Sequence, residues 1–354
     1  MDQRSRTRKR SGLGAAAAWL WNKVRPAAND QPEGELFGPY VLHEQIGAGG
    51  MGVVFRATHT RLGRQAAVKL LAADHDSPEN LARFEREAEL TSRLSHPNTI
   101  AVYDFGRTAS GAPFYAMEYL DGLDLETLVD RYGPQEPRRV AHLLAQLAGA
   151  LAEAHGLGFI HRDVKPANVM LCERGGVQDF VKVLDFGLTK ELAAQDATED
   201  SGRVVGTPLY LSPEAIAAPG LLDARSDLYA LGAVGYFLLT GRPPFVGASV
   251  AEVCGHHLHS APEPLSRRGA PVPPELERLI LSCLAKSPED RPASAAALQL
   301  ALLGLASTWT ERDARRWWSE HEGPTSCPAS LELEAAESTD CRSHAPTLLE
   351  ALAG

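Results

Sequence analysis

Apolar and polar residues alternate in strand fashion from residue 40 to residue 72, around a glycine-rich turn. From 79 to 95 the period lengthens: Leu81, Phe84, Ala88 and Leu94 recur at helical spacing with charges between them. Strand-like runs return at Ile100 to Tyr103 and at Phe114 to Tyr119. Beyond Gly122 the chain changes to long helical patterns, among them Ala141 to His155 and Ser226 to Leu239, ending near Leu305. This order predicts an α+β fold in two lobes: a β-rich front at about 38–119 and a helical back at about 120–305. Residues 1–37 read as a flexible basic leader, and 306–354 as a C-terminal tail with a short helix at 311–320, capped by Thr310. The Trp317-Trp318 pair beside Arg315-Arg316 is expected either to pack that helix on the back lobe or to dock a partner. No internal repeat is apparent.

Composition narrows the classes. A chain of 354 residues with 44% apolar residues fits one medium domain plus tails. The net charge of −10 argues against a general nucleic-acid binder. The charge is uneven: Arg4, Arg6, Arg8, Lys9 and Arg10 open the chain, while Glu332, Glu334, Glu337 and Asp340 lie near its end. Five cysteines without a C-x-x-C pair suggest reduced thiols and a cytoplasmic location. His256-His257-x-His259 reads as a loop rather than a metal site. No apolar run is long enough for a transmembrane segment; Leu13 to Trp21 imitates a signal peptide but is short and poorly flanked.

Three segments carry chemistry. Ile46-Gly47-Ala48-Gly49-Gly50-Met51-Gly52-Val53-Val54 contains G-x-G-x-x-G. In a dinucleotide site a helix follows such glycines directly; here Val53-Val54-Phe55 follows, which favours a strand and puts the glycines in a hairpin turn. Bare backbone there can close over phosphates. Lys69 lies inside the apolar run Ala66-Ala67-Val68, where an ammonium is costly without a counter-charge, and Glu85, Glu87 and Glu89 on the following helix compete for that role. The third segment, His161-Arg162-Asp163-Val164-Lys165-Pro166-Ala167-Asn168 with Asp185-Phe186-Gly187 downstream, sets carboxylates, an ammonium and an amide at short intervals. Those groups suit a nucleoside triphosphate, its magnesium and an attacking hydroxyl.

H-R-D-x-K-P-x-N followed by D-F-G resembles the catalytic and metal-binding loops of protein kinases, and over about Tyr40 to Leu303 the chain looks like a bacterial serine/threonine kinase of the eukaryotic type. The resemblance implies a two-lobed kinase fold, ATP and Mg2+ as cofactors, protein substrates, and transfer of the γ-phosphoryl group to serine or threonine. It makes Asp163 the base and places Lys165 by the transferring phosphoryl. It gives Asn168 and Asp185 to the metal, and Lys69 to the α- and β-phosphates. The offset from Pro97 selects Glu87 as the partner of Lys69. Met117-Glu118-Tyr119-Leu120 looks like a hinge that binds adenine through the backbone of Glu118 and Leu120, with Val54, Ala67 and Met117 as walls or as ordinary core. Asp124 is a ribose ligand or an exposed turn residue. Thr198, Ser201 and Thr207 are activation-segment phosphosite candidates, and Arg162 is their expected phosphate partner. Asp227 is expected to fasten the 161–163 backbone, and Glu214 to pair with Arg291. The alternative reading is a pseudokinase scaffold.

Overall fold

The computed structural model describes residues 36–49, 52–71, 78–108, 112–185, 208–218, 220, 222–269, 271–306 and 308–321. Gly50, Met51, Phe186, Gly187, Thr198, Ser201 and Thr207 therefore lie outside the described residues.

The front lobe is a six-stranded antiparallel sheet of β1 (Leu36–Phe37), β2 (Tyr40–Gly49), β3 (Gly52–His59), β4 (Gln65–Leu71), β5 (Val102–Arg107) and β6 (Pro113–Glu118). The strand order is β1-β2-β3-β4-β6-β5. Its alternating side chains feed two cores. Phe37, Tyr40, Leu42, Val68 and Phe114 pack on one face. Ala67, Leu71, Tyr115 and Met117 pack on the other, against Phe84 and Ala88 of α1 (Pro78–Ser92). The second strand-like run starts later than its sequence suggests, because the Ile100 N–H is given to Val183 O (3.0 Å).

Behind Glu118 come α2 (Leu125–Tyr132), α3 (Pro137–Gly156), α4 (Pro213–Ala217), α5 (Arg225–Thr240), α6 (Val250–His259), α7 (Pro274–Cys283) and α8 (Ala295–Ala306). From Ser226 to Leu239 every residue of α5 is buried, which makes it the axis of this lobe. Gly149 lets α3 and α8 approach closely; a Cβ there would meet Gln299 Nε2 at 2.5 Å. The sequence pattern missed a second, three-stranded sheet: β7 (Gly122–Asp124), β8 (Val169–Arg174) and β9 (Val177–Val183). Segment 95–98 is bolted to the back lobe. Glu153 accepts the Ser95 and His96 amides at 2.9 and 2.8 Å, and Asn98 Nδ2 donates to Val181 O at 2.8 Å.

The packed fold runs past Leu305. Trp309 Nε1 donates to Asp179 Oδ2 at 3.1 Å, beside a buried Arg139–Asp179 pair. Helix α9 (Glu311–His321) begins with a reciprocal cap in which the Thr310 N–H donates to Asp313 and the Asp313 N–H to Thr310 Oγ1. Residues 316–321 belong to a separate unit, within which the Trp317 ring stacks on His321 at 4.1 Å. The three histidines of α6 do not converge: His257 bonds Tyr229 and His256 bonds Ser260. No cluster of three metal-ligating side chains occurs among the described residues. No single described helix is long and apolar enough to cross a membrane.

Candidate active site

The site lies where β4, β6, α1, the 161–168 loop and Asp185 meet. Lys69 of β4 is buried, and its Nζ lies 3.0 Å from Glu87 Oε1 of α1 and 3.0 Å from Asp185 Oδ1. Burial is the largest single influence and opposes an ammonium here, but Asp185, Tyr115 and Glu87 together outweigh it, so the Lys69 pKa is raised well above its usual value. Glu87 is shifted up, first by burial, despite Lys69. Asp185 is shifted down: burial acts upward, and the charge and hydrogen bond of Lys69 win. Glu85 instead bonds Arg107 at 2.8 Å on the surface, so of the three candidates Glu87 alone is bonded to the lysine.

Tyr115, which no sequence motif singles out, joins this cluster. It is the cross-strand neighbour of Lys69, and its hydroxyl lies 3.0 Å from Glu87 Oε1 and 3.3 Å from Asp185 Oδ1. The available signal was a tyrosine two places before Met117 in an apolar strand, since a buried phenol needs a polar partner.

Two side chains converge on Asp163. Lys165 Nζ donates to Asp163 Oδ2 at 2.9 Å, and Asn168 Nδ2 donates to the same oxygen at 3.1 Å and to Asp163 O at 2.9 Å. Asp227 holds the loop from behind, its carboxylate accepting the His161 and Arg162 amides at 2.7 and 2.8 Å. His161 is buried; Nδ1 accepts the Asp163 N–H and Nε2 lies 2.9 Å from Leu184 O, which makes Nε2 the protonated nitrogen. Burial lowers its pKa and keeps it neutral. Arg162 and Asp185 both adopt positive φ (65° and 39°), backbone strain of the kind that collects at functional sites. Farther back, Arg291 grips Glu214 through two bonds of 2.7 and 2.8 Å, as the sequence suggests.

The glycines of the first hairpin differ in what they require. Gly49 pairs with Gly52 across the turn, and a Cβ on Gly52 would sit 2.0 Å from Leu70 O. Gly47 has ordinary room, with Val54 Cβ at 3.7 Å. Ile46 is exposed and Ala48 lies on the same strand. Ala67, Met117, Val54 and Leu120 do come together, with Leu184 added. Glu118 spends its N–H on Ala101 O (2.9 Å), so only its backbone carbonyl can meet a ligand. Its buried carboxylate accepts Lys182 Nζ and Arg174 Nη1, each at 2.5 Å, which ties the connection between lobes to β8 and β9. Burial would raise this carboxyl, but those two hydrogen bonds hold it low. Asp124 caps α2, its two oxygens accepting the Thr127 N–H (2.8 Å) and hydroxyl (2.9 Å).

A buried ammonium shared by two carboxylates, together with a carboxylate that carries its own ammonium and amide, has the parts of a phosphoryl-transfer site. The chain matches the protein kinase domain over residues 40–303 and belongs to the protein kinase family. It is 42% identical over 312 residues to serine/threonine-protein kinase pkn3 of Myxococcus xanthus, covering 86% of this chain and 56% of that protein. It is 44% identical over 269 residues to serine/threonine-protein kinase PknB of Mycolicibacterium smegmatis, covering 75% of this chain and 42% of that one. The chain thus spans about half the length of the curated relatives it matches. The crystal structure of the Mycobacterium tuberculosis PknI kinase domain superposes with a TM-score of 0.59 at 30% identity, over 78% of this chain and 100% of that one.

Proposed function

We propose that this chain is a serine/threonine protein kinase that transfers the γ-phosphoryl group of ATP to a protein hydroxyl. One observation carries the reading: Lys69 is held 3.0 Å from both Glu87 and Asp185, while Lys165 and Asn168 converge on Asp163 Oδ2. Lys69 binds triphosphate oxygens and Glu87 orients it. Asp163, its carboxylate fixed by two donors, orients the acceptor hydroxyl and takes its proton. The new P–O ester bond forms as the bond to the ADP oxygen breaks, and Lys165 offsets charge on the transferring group. Asn168 spends Nδ2 on Asp163, which leaves Oδ1 as a neutral donor beside the carboxylate of Asp185, and hard oxygens of this kind suit magnesium. Magnesium bound by these two residues would neutralise phosphate charge.

The facing ends of β2 and β3, from Ile46 to Gly49 and at Gly52, cover the phosphates. Val54, Ala67, Met117 and Leu184 line the adenine, with hinge backbone at Glu118 and Leu120. Asp124 keeps lone pairs for a ribose hydroxyl beyond its cap. Preference for serine and threonine rests on Lys165 and on the names of the relatives. Purified chain with radiolabelled ATP, magnesium and a generic basic protein is expected to transfer label, and Asp163→Ala to abolish transfer. Nucleotide binding without any transfer would make the chain a docking protein instead.

Autophosphorylation at Thr198 or Ser201, with Thr207 as the third candidate, belongs to the same reading; mass mapping after incubation with ATP that found all three unmodified removes it. The cytoplasmic assignment rests on the scattered cysteines, of which Cys172, Cys254 and Cys283 are free thiols, and recovery of the chain in the membrane fraction counts against it. Docking of a protein partner through the tail rests on Trp317-Trp318 beside Arg315-Arg316; substrate KM unchanged by Trp317→Ala refutes it.

A further inference from the structure

The cluster around Lys69 contains one ammonium and two carboxylates, so it carries one negative charge that the lysine does not neutralise. Glu87 and Asp185 each present one oxygen to Lys69 at 3.0 Å, and two carboxylates sharing one ammonium repel each other. The phenol of Tyr115 lies between them, 3.0 Å from Glu87 Oε1 and 3.3 Å from Asp185 Oδ1. Its position is dictated by the sheet. Lys69 and Tyr115 are directly opposed across β4 and β6, on the face that packs against α1. The ring is clamped by Phe84 of α1, with centroids 5.1 Å apart.

We propose that Tyr115 is a positioning residue whose hydroxyl braces Glu87 and Asp185 against Lys69, so that the nucleotide and metal groups are set before ligand arrives. The proposal rests on the kinase reading above and deepens it. A phenol has one proton and serves one carboxylate at a time. While Lys69 faces both acids, the proton can go to either. When Lys69 turns towards a triphosphate and Asp185 towards a metal ion, the proton stays with Glu87, which would otherwise lose its second donor in a buried site. Tyr115 thus lowers the cost of releasing Asp185 for metal binding while α1 stays in place.

The test is the affinity of the full chain for ADP, measured by calorimetry with magnesium and with EDTA. The ratio of the two affinities reports how well Asp185 is prepared for the metal, and it requires no turnover. Tyr115→Phe keeps the ring and removes the hydroxyl; it should cut the ratio about tenfold, the worth of one hydrogen bond to a charged group. Phe84→Leu loosens the packing round the same ring but keeps the hydroxyl, and should preserve the ratio. If Tyr115→Phe does not fold, Tyr115→Leu carries the same expectation. An unchanged ratio in the hydroxyl-deleted chain overturns the proposal, and so does an equal fall in Phe84→Leu, which would trace the effect to packing. A wild-type chain that binds ADP no more tightly with magnesium than with EDTA defeats the kinase reading itself.

Discussion

Replacing Asp179 by Asn should cost this fold more than any change on its surface. Arg139 and Asp179 are 0% and 1% exposed, and they meet through two bonds, Nε to Oδ2 at 2.9 Å and Nη2 to Oδ1 at 2.6 Å. Trp309 Nε1 also donates to Oδ2, at 3.1 Å. Each carboxylate oxygen thus faces at least one donor. An asparagine amide, whichever way it is turned, must point its NH2 at one of them. Asparagine also tolerates the left-handed backbone of this position (φ 55°), so the substitution isolates the electrostatics. Breaking a buried pair from one side leaves an uncompensated charge and costs about 3–5 kcal/mol. At about 2–4 °C per kcal/mol for a domain of this size, the melting midpoint should fall by about 10 °C. Differential scanning fluorimetry at two salt concentrations is the assay; the loss should be nearly independent of salt, because the pair is shielded from counter-ions. Arg139→Met with Asp179→Asn should be less destabilised than the sum of the two single changes. A midpoint within about 2 °C of wild type, or strict additivity in the double variant, would show that the pair contributes little and that the chain does not rely on Trp309 to close its back lobe.

Three further outcomes follow from the site and its supports. Gly52→Ala should destabilise the front lobe by about 2 kcal/mol or more, since its Cβ would meet Leu70 O at 2.0 Å, whereas Gly47→Ala should be tolerated; equal midpoints for the two would refute the steric distinction. Arg174→Ala removes the half-exposed arm of the Glu118 clasp; discounted for solvent, that bond is worth about 1 kcal/mol, so KM for ATP should rise about fivefold with kcat nearly unchanged. A kcat loss with constant KM would contradict a role in holding the hinge. Burial, helped by the charge of Lys286, lowers His257 from an ordinary 6.5 to about 4. Between those values the unfolded chain takes up a proton that the folded chain refuses, so stability is lost as pH falls from about 6.5 towards 4, by about 3 kcal/mol at the acid end. His257→Gln should flatten that part of the urea-midpoint profile, and parallel profiles for the two chains would rule His257 out as the cause.

Much of the site was legible because its chemistry restricts residue types at short spacing. Asp163, Lys165 and Asn168 span six positions, and the structure gathers them on one oxygen. The long helices α3 and α5 were legible because burial writes a period, or a continuous apolar run, over fifteen residues or so. What escaped is long in range or short in extent. β7 has three residues, too few for alternation to register, although it carries Asp124 at its end. Asp179, Arg139 and Trp309 are separated by 40 and 130 positions, and no local pattern announces their meeting. Glu118 was read for its backbone alone, because nothing near it in sequence offers a cation; Lys182 is 64 residues away.

Glu87 shows that a purely physical signal was present and went unused. It was selected by its offset from Pro97, yet the helical period singles it out independently. Phe84, Glu87, Ala88 and Thr91 fall at i, i+3, i+4 and i+7, the spacing of one face, and all four are buried. Glu89 lies off that stripe and is exposed, and Glu85 bonds a surface arginine. A carboxylate on the apolar stripe of a helix is too costly to keep unless something inside compensates it. The same reasoning applies to Lys69 and to Tyr115, polar tips inside strands that are otherwise buried. Three polar groups on three separate elements, each out of place by its own local pattern, have to satisfy one another. That requirement draws them to a single point without reference to any relative, and Asp185, with its side chain 41% exposed, meets them there from the solvent side.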